Sequence, residues 1–573
     1  MALNPVLISS QWLSACSSAL HSAEVTALSN LFLPNGWLRD ILVFTWDIRS
    51  LEGREKITTY LVDRLLDAHV TDVQLDNTPY LAPRTDLGVE FAFTFECNRG
   101  HGRAYVRLAP DADGVHRAFT MLTELVDLRG YEELSTLPLR DDTAGLRGDG
   151  PQRGGQPVRY LGAAQTGLQV AARFKQMNIP TLVIERAARI GDIWRQRYPT
   201  LVLHTTRRHH TLLYQPFPSN WPEFTPRDKY ADWLEHYASI QDLVVWTSSE
   251  LNPHPTYNTE DHRWDVTISR KGVEVKLRPA HIILATGTLG RPVVPDVLGM
   301  EGFQGRILHS SRFQGGALFA AQRVVVVGAG NSSIDVCQDL ALRGAASVTM
   351  IQRSVSCVMS RDLAAAFIRS LYPEDIPLEI ADFKVASAGM ALRKRLAIEA
   401  QASVWEAHKE LHEKLRSGGV NVNLGPEGEG IYPLVYERLG GTYLPRLFLP
   451  GMDKGGADLI ADGRIKVKSG VSVQRFTKTG IVLSDGTELT ADVVIFATGF
   501  VHIRETNREL LGDDIVDQTE EVYGLDEEGE IKGSYRPCGH PGLWFATGDI
   551  PASRYLSKAL VSARGDQYHR CLR

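Results

Sequence analysis

A run of valines, Arg323-Val-Val-Val-Val327, leads into Gly328-Ala-Gly-Asn-Ser-Ser333 and then into a helical pattern from about Ile334. That order of strand, glycine turn and helix suits a bound nucleotide pyrophosphate. Gly328 permits the tight turn, and Gly330 lets backbone approach the phosphates. After Asn331 and Ser332 the helix N-terminus offers free N–H groups and a positive dipole end that favour anions. Ser333 stands where a third glycine is common and is still small enough for helix to pack on strand. A second run of the same kind, Gly162-Ala-Ala-Gln-Thr-Gly167, follows Val158-Arg-Tyr-Leu161, with Ala164 at the middle glycine position and Gln165 after it. The strand Thr181-Leu-Val-Ile184 then ends at Glu185, where a carboxylate can accept hydrogen bonds from ribose hydroxyls. The counterpart strand Val348-Thr-Met-Ile351 ends instead in Gln352-Arg353, neutral then cationic, which suits a ribose carrying a 2′-phosphate. Three apolar strands close with Ala-Thr-Gly, at Gly287, Gly499 and Gly548, and the last continues to Asp549. Such a step lets the chain leave a sheet and pass close to a ligand at the strand's carboxyl end.

These sites need parallel sheets to position them, and the length allows for more than one. With 573 residues the chain should divide into two or three domains. A hydrophobic share of 43% with 23% charged residues is that of an ordinary globular protein. The formal charge of -6 offers no basic footprint for nucleic acid. Cysteines at 16, 97, 337, 357, 538 and 571 have no C-x-x-C or zinc-ligand spacing, so no metal site is expected. No apolar run approaches a membrane span and Met1-Ala-Leu-Asn-Pro has no signal-peptide character, so a cytoplasmic location is expected. Residues 1–130 read as helices followed by strands, a small α+β domain; 131–156 are a Gly-, Asp- and Pro-rich linker. Charged residues at helical spacing, from Arg393 to Glu413, make the stretch between Val358 and Asp462 mostly helical.

Ahead of the valine strand stands Phe303-Gln-Gly-Arg-Ile-Leu-His-Ser-Ser-Arg-Phe313, a match to Phe-x-Gly-x-x-x-His-x-x-x-Phe. With it the chain resembles the flavin-containing monooxygenases, whose fingerprint of this form precedes an NADPH-binding glycine turn. Baeyer–Villiger relatives usually end the motif in Trp followed by Pro or Asp, so Phe313 favours the flavin-containing branch. Gly191-Asp-Ile-Trp194, Leu203-His-Thr-Thr-Arg-Arg-His-His210 and Tyr214-Gln-Pro-Phe217 also resemble family segments, with Thr205-Thr206 where several relatives place a flavin-facing asparagine.

The resemblance implies an α/β fold with two dinucleotide-binding, Rossmann-like domains. FAD-binding parts fall at 157–313 and 463–573, and an NADPH-binding domain with a helical insert at 314–462. It implies FAD contacts at Gly162, Ala164, Gln165, Gly167, Glu185, Gly191, Trp194 and Asp549, and NADPH contacts at Gly328, Gly330, Asn331, Ser332, Ser333 and Arg353. Gly287, Gly499 and Gly548 would turn beside the cofactors, and His309 and Arg312 would organise the domain junction. The implied activity is NADPH-driven insertion of one atom of O2 into a small organic substrate, through a C4a-hydroperoxyflavin. The N-terminal domain looks like a nuclear-transport-factor-2-like cone of some fungal relatives. Asp40, Asp47 and His116 have no catalytic spacing there, so a packing or homodimerising role is expected. Three alternatives stay open: a pyridine nucleotide–disulfide reductase, which would need a redox cysteine pair; a Baeyer–Villiger or decarboxylating oxygenase acting on a carbonyl substrate; and a non-catalytic nucleotide-binding protein.

Overall fold

A computed structural model of the chain describes residues 4–85, 88–137, 158–161, 164–430, 447–448 and 456–562. Gly162, most of the expected linker, most of the Tyr443 to Gly456 stretch and the end beyond Ser562 lie outside the described residues.

The N-terminal helix Pro5–His21 starts where Asn4 caps the Leu7 N–H at 3.2 Å and proline takes the first helical position. Its Trp12 meets Phe91 edge-on at 5.8 Å, seating the helix on a seven-stranded sheet. The strands run in the order Ile48–Glu52, Phe32–Ile41, His116–Leu128, Gly100–Pro110, Val89–Glu96, Thr71–Leu75, and Arg84–Thr85 pairs onto Val89–Glu96. Asp40 is fully buried in this core, accepting from Thr123 at 2.7 Å, Tyr60 at 2.8 Å and the Phe44 N–H at 3.1 Å. Burial raises its pKa against those bonds. Asp47 faces outward to an ion pair with Arg536 at 2.6 Å, and His116 starts a strand at the sheet's end.

Two parallel sheets follow. The first runs Val245–Trp246, Thr181–Ile184, Val158–Leu161, Ile282–Leu284, Leu543–Phe545. The second runs Arg306–His309, Val493–Phe496, Arg323–Val327, Ser347–Gln352, Ile465–Ser469. Inner strands of each are covered on both faces and read as apolar runs: Ile282, Ile283 and Leu284 are buried in the first, Val324, Val325 and Val326 in the second. Strands outside 314–462, namely Arg306–His309, Ile465–Ser469 and Val493–Phe496, pair into the second sheet. A short antiparallel ribbon of Leu289–Pro292 with Phe500–His502 joins the two bodies.

The helical insert contains Arg361–Leu371, Leu378–Ala386, Met390–Glu399, Gln401–Ala407 and Lys409–Ser417, which reach back to the N-terminal sheet. Asp382 on the second of these holds Arg554 through two bonds of 2.6 Å. Beside that helix, Arg39 forks onto Glu530 at 2.7 Å and donates to the Ala386 carbonyl at 2.7 Å. The N-terminal sheet is thereby fastened to the rest of its own chain. Among the described residues no helix is long and apolar enough to cross a membrane.

Candidate functional site

The two glycines of the second turn have different physical reasons. Gly328 has φ +124°, and a Cβ there would lie 2.3 Å from the Ala497 carbonyl oxygen, so the fold itself demands glycine. A Cβ on Gly330 would meet nothing within 4 Å. Its omission leaves open space at the start of helix Asn331–Leu342, where a phosphate needs close approach to backbone. Gly328, Gly330, Asn331 and Ser332 line a cavity of about 1830 Å3. Ser333 is buried below the turn, and its Oγ has no hydrogen-bond partner among the described residues. Arg353 stands exposed on the cavity wall directly after its strand. Gln352 turns inward, donating to Ser356 Oγ and the Asn421 carbonyl and accepting from Ser469 and the Asn421 N–H.

The same cavity reaches the first turn. Ala164 caps helix Gln165–Gln176, and Gln165 lines the cavity while accepting the Trp194 Nε1–H at 3.3 Å. Trp194 lines it too, and Tyr230 meets its ring edge-on at 5.2 Å. Gly167 is buried in the helix. Glu185 is half-buried at its strand's end, accepting the Ala187 N–H at 2.8 Å, and is not among the described lining residues. Gly191, with φ +83°, starts the turn Asp192–Arg195 that packs on helix Arg227–Ile240. All three Ala-Thr-Gly steps turn through a positive φ, +82° at Gly287, +86° at Gly499 and +135° at Gly548. Gly499 and Asp549 line the cavity, and Asp549 accepts the Ala552 N–H at 2.8 Å in the first turn of Ile550–Ser562.

The Phe303 to Phe313 segment acts by packing. His309 is 5% exposed; its Nδ1 accepts the Ser311 N–H at 3.1 Å, so the neutral ring carries its proton on Nε2 and donates to the Gly499 carbonyl at 3.1 Å. Burial keeps its pKa below the usual histidine value. Phe313 stacks on Phe319 at 5.7 Å, whereas Arg312 points to solvent.

Sequence similarity alone marked Leu203 to His210. In the fold, Thr205 Oγ1 lies 2.9 Å from His209 Nδ1 and 2.6 Å from His210 Nε2, and all three line the cavity. Burial pushes His209 down to about 4, and burial with the nearby Arg197 charge pushes His204 down to about 4. His204 lies 3.8 Å from Asp335, whose carboxyl is hydrogen-bonded by Tyr198 and pushed well up by burial. A histidine-rich run ahead of an aromatic loop was the available signal. The N-terminal domain, expected to be a packing module, also supplies cavity wall at Arg84, Glu90, Arg107, Phe119 and Thr120.

Two parallel-sheet nucleotide bodies opening into one cavity define an oxidoreductase of the two-dinucleotide-fold class. Residues 158–411 match the family described as FMO-like, flavin-binding monooxygenase-like. The chain is 30% identical over 347 residues to the probable indole-3-pyruvate monooxygenase YUCCA3 of Arabidopsis thaliana, covering 59% of this chain and 72% of that protein. It is 29% identical over 343 residues to the indole-3-pyruvate monooxygenase YUCCA1 of Oryza sativa subsp. japonica, covering 59% and 75%. An open crystal structure of cyclohexanone monooxygenase aligns over 72% of this chain and 88% of its own, with TM-score 0.51 and 16% identity, a likeness of fold. The chain belongs to the flavin-binding monooxygenase-like family: it is an FAD-dependent, NADPH-consuming enzyme that inserts oxygen into an organic substrate. A disulfide reductase is set aside by that membership. The described cysteines agree, since Cys16, Cys97, Cys337, Cys357 and Cys538 are all buried and unpaired.

Proposed function

We propose that the first body, with the Asp549 helix, holds FAD, and the second holds NADPH. The FAD residues are Gly162, Ala164, Gln165, Gly167, Glu185, Gly191, Trp194, Gly287, Gly548 and Asp549. The NADPH residues are Gly328, Gly330, Asn331, Ser332, Ser333, Arg353 and Gly499. The strands Arg306–His309, Ile465–Ser469 and Val493–Phe496 belong with the NADPH body because they pair there. The observation that carries this reading is the shared cavity: Gln165, Trp194 and Asp549 line the space that Gly330, Asn331 and Ser332 also face.

When bound, FAD would supply the acceptor for hydride from NADPH and the oxygen chemistry. The chain's own part is binding, orientation and exclusion of water. N–H groups at the start of Asn331–Leu342 would hold the NADPH pyrophosphate. His204 and His209, held neutral by burial, serve as hydrogen-bonding groups at neutral pH. Apolar side chains of the insert helices, including Leu363, Phe367 and Leu392, line the cavity, where they would limit water around a bound flavin.

The relatives named for indole-3-pyruvate, an aromatic 2-oxo acid, keep a carbonyl substrate as the second reading. A cytoplasmic setting suits five buried, unpaired cysteines among the described residues. Any pairing of two copies through the N-terminal domain uses its helical side, where Val6 and Leu7 are exposed, because its sheet is fastened to its own chain. The test is a purified yellow protein given NADPH and 18O2 with an organic sulfide or a 2-oxo acid. One labelled oxygen atom in the product is expected. NADPH oxidation that yields only hydrogen peroxide with both substrate classes would overturn the reading.

A further inference from the structure

Four polar side chains from neighbouring strands of the N-terminal sheet form one row. Arg84 is in register with Glu90, Glu90 with Arg107, and Arg107 with Thr120. All four line the cavity that also passes Gly330 and Asp549. Lys384, from helix Leu378–Ala386, joins them with Nζ 3.5 Å from Glu90 Oε1. Arg84 Nε lies 2.5 Å and Arg107 Nε 3.4 Å from the same carboxylate. Among the described residues, three cations thus face one carboxylate, an excess of two positive charges, 3 − 1.

Glu90 is 6%, Lys384 8% and Thr120 1% exposed, while the Arg84 and Arg107 side chains keep 34% and 25% exposure. Burying surplus charge is unfavourable unless something pairs with it. Lys384 Nζ and Thr120 Oγ1 make no hydrogen bond among the described residues, although buried polar atoms are nearly always satisfied. Two open donors and a positive excess are the requirements of a bound carboxylate. The approach to them is apolar. Leu363, Phe367 and Leu371, spaced along one face of Arg361–Leu371, line the cavity with Leu392 and Leu396 from helix Met390–Glu399.

We propose that the N-terminal sheet is a wall of the substrate site, and that Lys384, Thr120 and the Arg84–Arg107 row take the carboxylate of an amphipathic acid whose hydrocarbon body lies along the insert helices. This rests on the oxygenase reading for the acid's fate but not for its binding, so the test reads binding.

The full-length, flavin-loaded protein is titrated calorimetrically with decanoate and with 1-decanol, matched in hydrocarbon body. Decanoate is expected to bind about tenfold or more tighter, as a charge-assisted contact gives. Lys384→Met and the near-isosteric Thr120→Val should each weaken decanoate about tenfold and leave 1-decanol unchanged. Equal affinity for acid and alcohol, binding of neither, or equal weakening of both in the variants would overturn the proposal. Inorganic phosphate binding as tightly as decanoate would overturn it too, by showing a site for free anions. Flavin absorbance read on the same samples keeps the two readings apart, since a colourless protein counts against the FAD assignment alone.

Discussion

Two buried charge clusters meet on one short helix, Leu378–Ala386, and they are built on opposite plans. Asp382 and Arg554 match one charge with one, through two 2.6 Å bonds, at side-chain exposures of 5% and 4%. The remaining Arg554 N–H groups go to the Thr211 and His209 carbonyls at 2.6 and 3.3 Å. Two positions along, Lys384 joins Arg84 and Arg107 around the single carboxylate of Glu90, with donors left over. A balanced, fully bonded pair fastens parts of a fold together. An unbalanced one keeps donors that a partner of opposite sign would take up, as proposed above.

Breaking the balanced cluster should have the largest effect. Asp382→Ala leaves the Arg554 guanidinium buried without its carboxylate, and a loss of about 3–5 kcal/mol is expected in chemical denaturation. A loss below about 1 kcal/mol would mean that water already reaches Arg554, and the contrast would fail. Next comes a cation at the nucleotide end of the cavity. Arg353→Ala should raise the apparent constant for NADPH about tenfold to a hundredfold, the scale of about 1.5–3 kcal/mol for a charged hydrogen bond, and leave NADH nearly unchanged. Equal weakening of both coenzymes would place Arg353 outside the 2′-phosphate pocket.

The unbalanced cluster should tolerate loss of its surplus. Lys384→Met should shift unfolding by less than about 1 kcal/mol, because Glu90 keeps Arg84 and Arg107. A loss on the Asp382→Ala scale would make this cluster structural. The smallest effect belongs to a surface pair. Asp127 hydrogen-bonds His101 at 2.6 Å and raises its pKa above 6.5. That contribution is complete below pH 6.5 and fades as pH rises through the raised folded value. With His101 side chain 46% exposed, it is worth under about 0.5 kcal/mol. The melting difference between wild type and His101→Gln, present near pH 5.5, should close by about pH 9.

The nucleotide bodies were readable because their signal is local. Gly328 to Ser333 lies in unbroken sequence between a strand and a helix, and the strand after it ends in Gln352-Arg353 without help from distant residues. The Arg84–Glu90–Arg107–Thr120 row was not readable. The members come from four separate strands, one of them the two-residue Arg84–Thr85, and only the register aligns them. That register includes a shift between Arg107 and Leu108, which residue types do not announce. The His204 to His210 run was visible as similarity, but Thr205 joins both imidazoles only because its loop folds back on itself.

The ribbon between the two nucleotide bodies has a mechanical consequence. Two covalent crossings, one leaving Gly287 and one leaving Gly499, would ordinarily allow the bodies to tilt in several directions. Here the emerging strands pair, Leu289 with His502 and Pro292 with Phe500. The Val293 N–H bonds the Gly499 carbonyl at 2.9 Å, and Thr498 Oγ1 bonds the Val293 carbonyl at 2.5 Å. The two crossings are therefore tied to each other side by side, and His309 donates to the same Gly499 carbonyl. The junction is thereby stiffened against one crossing splaying from the other, and Arg554 held by Asp382 of the insert ties the two bodies together a second time.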